Sequence, residues 1–134
     1  MREILFRGKR KDNGEWVNGF YTLYANNCGV HPCILTGTEQ GCVIPQFVVL
    51  ETVGQYTGLT DKNGKKIFEG DILRKGTRMG YMLFEKGCFR FRWKNFDKYR
   101  PDFFKTCIIT EYGSFRELEV IGNIHDNPDL LSGE

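Results

Sequence analysis

The sequence predicts a mostly β protein: short strands joined as hairpins that close a small barrel or sandwich, with one short helical turn at the C-terminus. Three observations carry this. Aromatic residues make up 14% of the 134 residues and 16 glycines are spread along the chain, a mixture that favours strands and turns over helices. An Asn-Gly pair recurs in matched settings, KDNGE at 11–15 and DKNGK at 61–65, each between apolar segments. Strand-like segments then follow one another at spacings of about ten residues with glycine turns between them.

From the N-terminus, ILFRGKR and EWVNGFYTLY flank the first Asn-Gly and read as a hairpin with a type I′ turn, because both central residues tolerate positive φ. Residues 25–46, with Asn26, Asn27, Gly29, Pro32, Gly37, Gly41 and Pro45, read as loops with short strands. Phe47-Val48-Val49-Leu50 is a brief strand leading into a second hairpin, GQYTGL with KKIFEGDIL. Here Asn63 and Gly64 form the turn, Gly70 supplies a backbone geometry other residues resist, and Asp71 bonds nearby amides to hold the corner. Ile72 or Leu73 then enters the core. A catalytic Glu69–Asp71 carboxylate pair is the competing reading, with neither a histidine nor a metal cluster to complete it. GYMLFE and CFRFRWK form a third hairpin across Lys86-Gly87. Residues 106–110 and 115–121 read as two more strands around Gly113-Ser114; in the second, Leu118 and Val120 alternate with Glu117 and Glu119. HDNPDLL offers Asn127 as a helix N-cap and Pro128 at the first helical position.

At this length a single domain, or a domain with a subdomain, buries a core without staples. We divide the chain into a hairpin and loop region over 1–50 and a barrel region over 51–134, which can fold as one unit. The longest apolar runs fall far short of the ~20 residues needed to span a bilayer, and the charged N-terminus MREILFRGKRKDNG lacks a signal-peptide core. A cytoplasmic protein without membrane contact is expected. Net charge is only +2 but uneven: residues 1–73 balance, 74–100 carry nine basic against two acidic side chains, and 101–134 carry two against seven.

The strongest candidate for function is CFRFRWKNFDKYR. On a strand, Phe89, Phe91 and Trp93 share one face, and Arg90, Arg92 and Lys94 the other. Alternate cations roughly 7 Å apart match phosphate spacing, with Lys98, Tyr99 and Arg100 continuing the mixture and Tyr99 or Phe96 available to stack on bases. The plainer reading makes the aromatics core and the cations a solvated face paired with Glu117 and Glu119 on a neighbouring strand. Cys28, His31, Cys33 and Cys42 could surround zinc, but their spacing lacks the tight pairs of structural zinc sites, and five cysteines in a reducing compartment are most simply free thiols. His125 beside Asp126 has the elements of an oriented base, yet it lies in a turn entering a capped helix. No metal, cofactor or catalytic residue is therefore expected. Tyr21, Tyr24, Tyr56, Tyr99, Phe103 and Phe104 exceed what one small barrel easily buries, which points to protein contacts and to homo-oligomers.

Three stretches resemble the YopX family of phage and prophage proteins: REILFRGKRKDNGEWV, ETVGQYTGLTDKNGKKIFEGDIL and EVIGNIHDNPDLL. They bracket nearly the whole chain; 25–46 and 94–114 lie outside them. The resemblance implies a phage- or prophage-encoded protein of the bacterial cytoplasm, mostly β, with an SH3-like barrel in its later part. It brings no catalytic residues. The expectation is a non-enzymatic binding module for a host or phage protein, with nucleic-acid binding through Arg90, Arg92 and Lys94 as the alternative.

Overall fold

The computed structural model describes residues 3–94, 107–108 and 117–132. The mostly β prediction holds: the described residues form eleven strands, β1 to β11, with two 3-10 turns, Leu50–Thr52 and Pro128–Leu130. The chain divides into two compact units, Met1–Tyr56 and Thr57–Glu134.

The first unit begins with β1 (Phe6–Lys9), β2 (Trp16–Asn26), β3 (Gly29–Gly37) and β4 (Val43–Phe47), each paired antiparallel with the next. The region 25–46 is therefore strand and hairpin rather than loop. Its glycines are the reason for the difference: Gly29 and Gly41 take positive φ at the hairpin ends, where they shape turns without interrupting pairing. After β4 the chain returns to β1. An Arg10–Val48 bridge, Lys11 N donating to Phe47 O at 3.0 Å and Val49 N donating to Lys9 O at 2.9 Å join the two ends of the β1–β4 order into a ring. Val48 and Ile34 are fully buried inside it. Gly8 lies so close to Val48 that a Cβ would crowd that side chain, so the absence of one lets β1 and Val48 meet. Thr52 fastens the following turn, its hydroxyl accepting the Lys9 amide at 2.9 Å and donating to Val49 O at 2.6 Å.

β5 (Gly54–Thr60) starts in the first unit, pairing Gly54 and Gln55 with Arg7 and Phe6, and its later half neighbours β6 (Lys66–Phe68) in the second. There β7 (Asp71–Lys75), β8 (Arg78–Glu85), β9 (Cys88–Trp93), β10 (Cys107–Ile108) and β11 (Glu119–Asn123) make a sheet ordered β10-β9-β8-β7-β11. Ile67, Leu73, Met82, Phe91, Trp93 and Leu118 form its core, so Leu118 and Leu73 enter the interior as the alternation predicts.

The turns correct one expectation. At both Asn-Gly sites only the glycine has positive φ, +72° at Gly14 and +80° at Gly64, and Lys86 is the one non-glycine with positive φ among the described residues. The loops 11–14 and 62–64 thus end in a left-handed glycine instead of forming type I′ turns, and the I′ geometry appears at Lys86-Gly87, with φ +52° and +79°. Asn127 also departs from its predicted role. It stands before the Pro128–Leu130 turn, but its Oδ1 accepts the Asn123 amide at 3.3 Å rather than capping.

Candidate functional site

Arg90 and Arg92 project from β9 opposite the core-facing Phe89, Phe91 and Trp93, as strand alternation requires. The aromatic side is scaffold. Phe91 and Trp93 meet edge to face at 4.8 Å, and the Arg78 guanidinium covers Trp93 at 4.2 Å. On the basic side, Arg92 faces Tyr81 across the β8–β9 register; its Nη1 donates to the Tyr81 hydroxyl at 3.2 Å, and its Nη2 lies 3.4 Å from both Glu85 carboxylate oxygens. Arg90 stands between Leu83 and Ile108 in the ladder. Lys94 follows the strand, its amide bonded to Met79 O. Lys98, Tyr99 and Arg100 lie outside the described residues.

The expected pairing of these cations with Glu117 and Glu119 is not what forms. β11 lies beside β7, not β9, so Glu119 meets Arg74 at 3.2 Å and Lys62 at 3.5 Å, and Glu117 meets Lys75 at 2.7 Å. The Lys75 bond and charge hold the Glu117 carboxyl below its ordinary range; the Arg74 bond and the Lys62 charge do the same for Glu119. Arg92 instead meets Glu85, on the adjacent strand β8.

The predicted turn residues do hold a corner. Gly70 has φ +92°, and Asp71, 1% exposed, accepts the Phe68 amide at 2.8 Å. More consequential is Asp61, which sequence reasoning counted only as a turn residue. Buried at 4% exposure, its Oδ1 accepts the Asn63 and Lys65 amides at 2.8 and 2.9 Å, and its Oδ2 takes the Val120 amide at 3.0 Å. Burial alone would raise its pKa. The bonds from Val120, Lys65 and Asn63 and the Lys65 charge outweigh this and hold the carboxyl below its usual range.

The cysteine and histidine candidates are kept apart by β3. Cys28 precedes that strand and Cys42 follows the turn at its far end, both exposed. Cys33, fully buried, sits between Thr22 and Phe47 in the register, and burial pushes its thiol pKa up. His31 contacts Asn26 Oδ1 at 3.2 Å and the Phe47 ring at 6.0 Å. Among the described residues no group of three or more His, Cys, Asp or Glu is placed to hold a metal ion. His125 belongs to a turn organised by Asn123, whose Oδ1 accepts the His125 and Asp126 amides and whose Nδ2 donates to Asp126.

The first unit carries a larger feature, of which the sequence reading named only Tyr24. Phe20, Tyr24, Val43 and Phe47 fall on one face of β2–β4 by register, and all are exposed, Phe20 at 65%. Leu23, Val30 and Ile44 are exposed on the opposite face. Tyr24 and Phe47 touch edge to face at 5.8 Å, so the aromatic surface is partly ordered by its own contacts. Of the four, only Val43 lies in the 25–46 region read as loops; what brings them onto one face is the pairing of β2, β3 and β4, which no single strand's sequence shows.

Three comparisons bear on this chain. A family model described as YopX protein matches residues 5–132. No curated protein matches. Among solved structures, the crystal structure of protein EF1440 from Enterococcus faecalis is similar, with a TM-score of 0.54 and 24% identity over 98% of this chain and 100% of that one. That likeness carries the fold and no more. No helix among the described residues is long and apolar enough to cross a membrane.

Proposed function

The chain belongs to the YopX family, and we propose that it acts as a non-enzymatic binding module for a host or phage protein, encoded by a phage or prophage and working in the bacterial cytoplasm. The observation that carries this reading is the exposed apolar surface of β2–β4, with Phe20, Tyr24, Val43 and Phe47 on one face. Exposing large aromatics in water is unfavourable, and several of them on one sheet face, with Tyr24 and Phe47 in contact, suit a surface that another protein covers. A second copy of the chain is the other occupant such a surface admits, so the oligomeric state belongs to the same experiment.

The test uses the full chain and a Phe20→Ser/Tyr24→Ser variant. These side chains are exposed, so the variant is expected to keep its thermal midpoint within a few degrees. Wild type is expected to capture one stoichiometric partner, or to sediment as an oligomer, in a manner insensitive to added DNA, and the variant to lose it. A variant that retains every contact of the wild type would sink the reading.

Nucleic-acid binding through Arg90 and Arg92 is the second reading, supported by their shared face on β9 and their incomplete burial. Arg92 already faces the Glu85 carboxylate, which weakens that surface as an anion site.

A further inference from the structure

β4 uses its two sides differently. Val48 N donates to Pro32 O at 3.2 Å, and the same register pairs Gln46 with Ile34 and Ile44 with Thr36. Antiparallel alternation therefore turns the backbone groups of Gln46 and Ile44 toward β3 and those of Val43, Pro45 and Phe47 away from it. The Phe47 carbonyl is taken by the Lys11 amide at 3.0 Å. β4 is the last strand of its sheet among the described residues, so Val43 and Pro45 face an open edge, and Pro45 offers only a carbonyl there.

At this edge lies a cavity of about 400 Å³ lined by Arg10, Lys11, Asp12, Pro45, Gln46 and Phe47, within the size range of small-ligand sites. The Phe47 ring is fixed by edge-on contacts with Tyr24 at 5.8 Å and His31 at 6.0 Å, and with Pro45 it makes an apolar wall. Of the cavity's charges, Arg10 Nη2 is bonded to Asp12 Oδ2 at 2.6 Å, so that pair is neutral within itself. Among the described residues, the exposed Lys11 ammonium is the charge left for a ligand.

We infer that this cavity and the adjoining β4 edge form a site for the end of a short, extended, acidic peptide. Its apolar side chain lies against Phe47 and Pro45, its carboxylate meets Lys11, and its backbone pairs with Val43 and the Pro45 carbonyl. The missing donor at Pro45 interrupts the edge, so the site takes a short segment and refuses open-ended strand addition. This names the partner chemistry of the binding role proposed above and rests on that reading.

The probe is a fluorescein-labelled pentapeptide of valine, threonine and leucine ending in aspartate amide, compared with the same peptide ending in asparagine amide, so that the two differ by one carboxylate. Binding to the full-length protein is read by anisotropy and by amide chemical shifts. The acidic peptide is expected to bind about two- to fivefold tighter than the asparagine peptide, the scale of one exposed charge contact, and to shift the amides of Lys11, Asp12, Gln46 and Phe47. Lys11→Glu is expected to weaken it about tenfold or more while leaving the thermal midpoint unchanged, since only an exposed side chain is altered. Equal affinity for the two peptides, no effect of Lys11→Glu, or no shift at these amides at millimolar peptide would each overturn the site. If a partner is captured through Phe20 while the peptide fails to bind, the broader reading stands and this site falls. If the peptide binds through Lys11 but no protein is captured and the chain stays monomeric, the site stands and the broader reading falls.

Discussion

Asp61 accepts the amide of Val120, 59 residues away, at 3.0 Å, and so ties the β5–β6 turn to β11. The neighbouring bond from Lys62 N to Leu118 O at 2.9 Å runs between the same two segments. One carboxylate therefore decides both the shape of a turn and the seat of the last strand, with Leu118 placed in the core as a result.

Replacing Asp61 should be among the most damaging single changes in the second unit. Asp61→Ala leaves three amides without their acceptor, and Asp61→Asn aims an amide donor at another donor. A loss on the order of 2–4 kcal/mol is expected for either, from the cost of buried unmade bonds to a charged group. The pH dependence has a definite sign. The folded pKa is lowered, so the unfolded chain binds the proton more readily, and the stabilisation is fully present above the unfolded value near ~3.9 and lost as pH falls through the folded value. Urea midpoints of wild type and Asp61→Asn should thus differ widely at pH 7 and converge below about pH 4. A constant gap across that range would show that the carboxylate charge is not what stabilises the turn.

Gly64 and Asn63 separate two turn geometries by experiment. Gly64 has φ +80° with open space around the position a Cβ would take, so Gly64→Ala is penalised by the backbone alone, about 1–2 kcal/mol. Asn63 contributes its backbone amide to Asp61, a bond that Asn63→Ala keeps, and the change should stay within about 0.5 kcal/mol. In a type I′ turn both residues would need positive φ and both substitutions would be costly. Thermal midpoints of the two variants therefore read out the turn type directly.

What could be read from the sequence was what is local. The alternation of CFRFRW, the Lys86-Gly87 turn and the Gly70-Asp71 corner each depend on neighbours within a few residues, and each appears where expected. Between residues 25 and 46 the same local logic misled. Gly29, Gly41, Pro32 and Pro45 read as loop punctuation, whereas the glycines turn hairpin ends, Pro32 still accepts the Val48 amide, and the missing donor of Pro45 faces an open edge. The pairing partners of Glu117 and Glu119 were illegible for a different reason. They depend on β11 joining β7, and strand order is set by the whole sheet, not by either strand's sequence.

The basic strand makes a prediction about salt. With Arg92 facing Glu85 and Tyr81, its charge is partly answered within the protein. Labelled single- and double-stranded DNA and RNA are expected to show no saturable anisotropy change at about 0.15 M salt, where screening acts over about 8 Å. If binding appears, with log K falling by ~0.7–0.9 per neutralised phosphate and lost in an Arg90→Ala/Arg92→Ala/Lys94→Ala variant, the basic strand rather than the apolar face is the functional surface.

Thiol reactivity tests the arrangement around β3. Cys28 and Cys42 are exposed at opposite ends of the strand, whereas Cys33 is fully buried and its thiol pKa is raised by burial. The thiolate is the reacting species, so both the low thiolate fraction and the lack of access protect Cys33. At pH 8 a thiol reagent should label Cys28 and Cys42 quickly in the folded protein, with Cys33 labelled only after denaturation; mass spectrometry of the digested chain assigns each site. Zinc bound jointly by Cys28, Cys33 and Cys42 would instead protect all three together and release them together on chelation. Rapid labelling of Cys33 in the folded chain would mean that β2 and β4 open readily around it, and the ring of β1–β4 would then be far less stable than its buried Val48 and Ile34 imply.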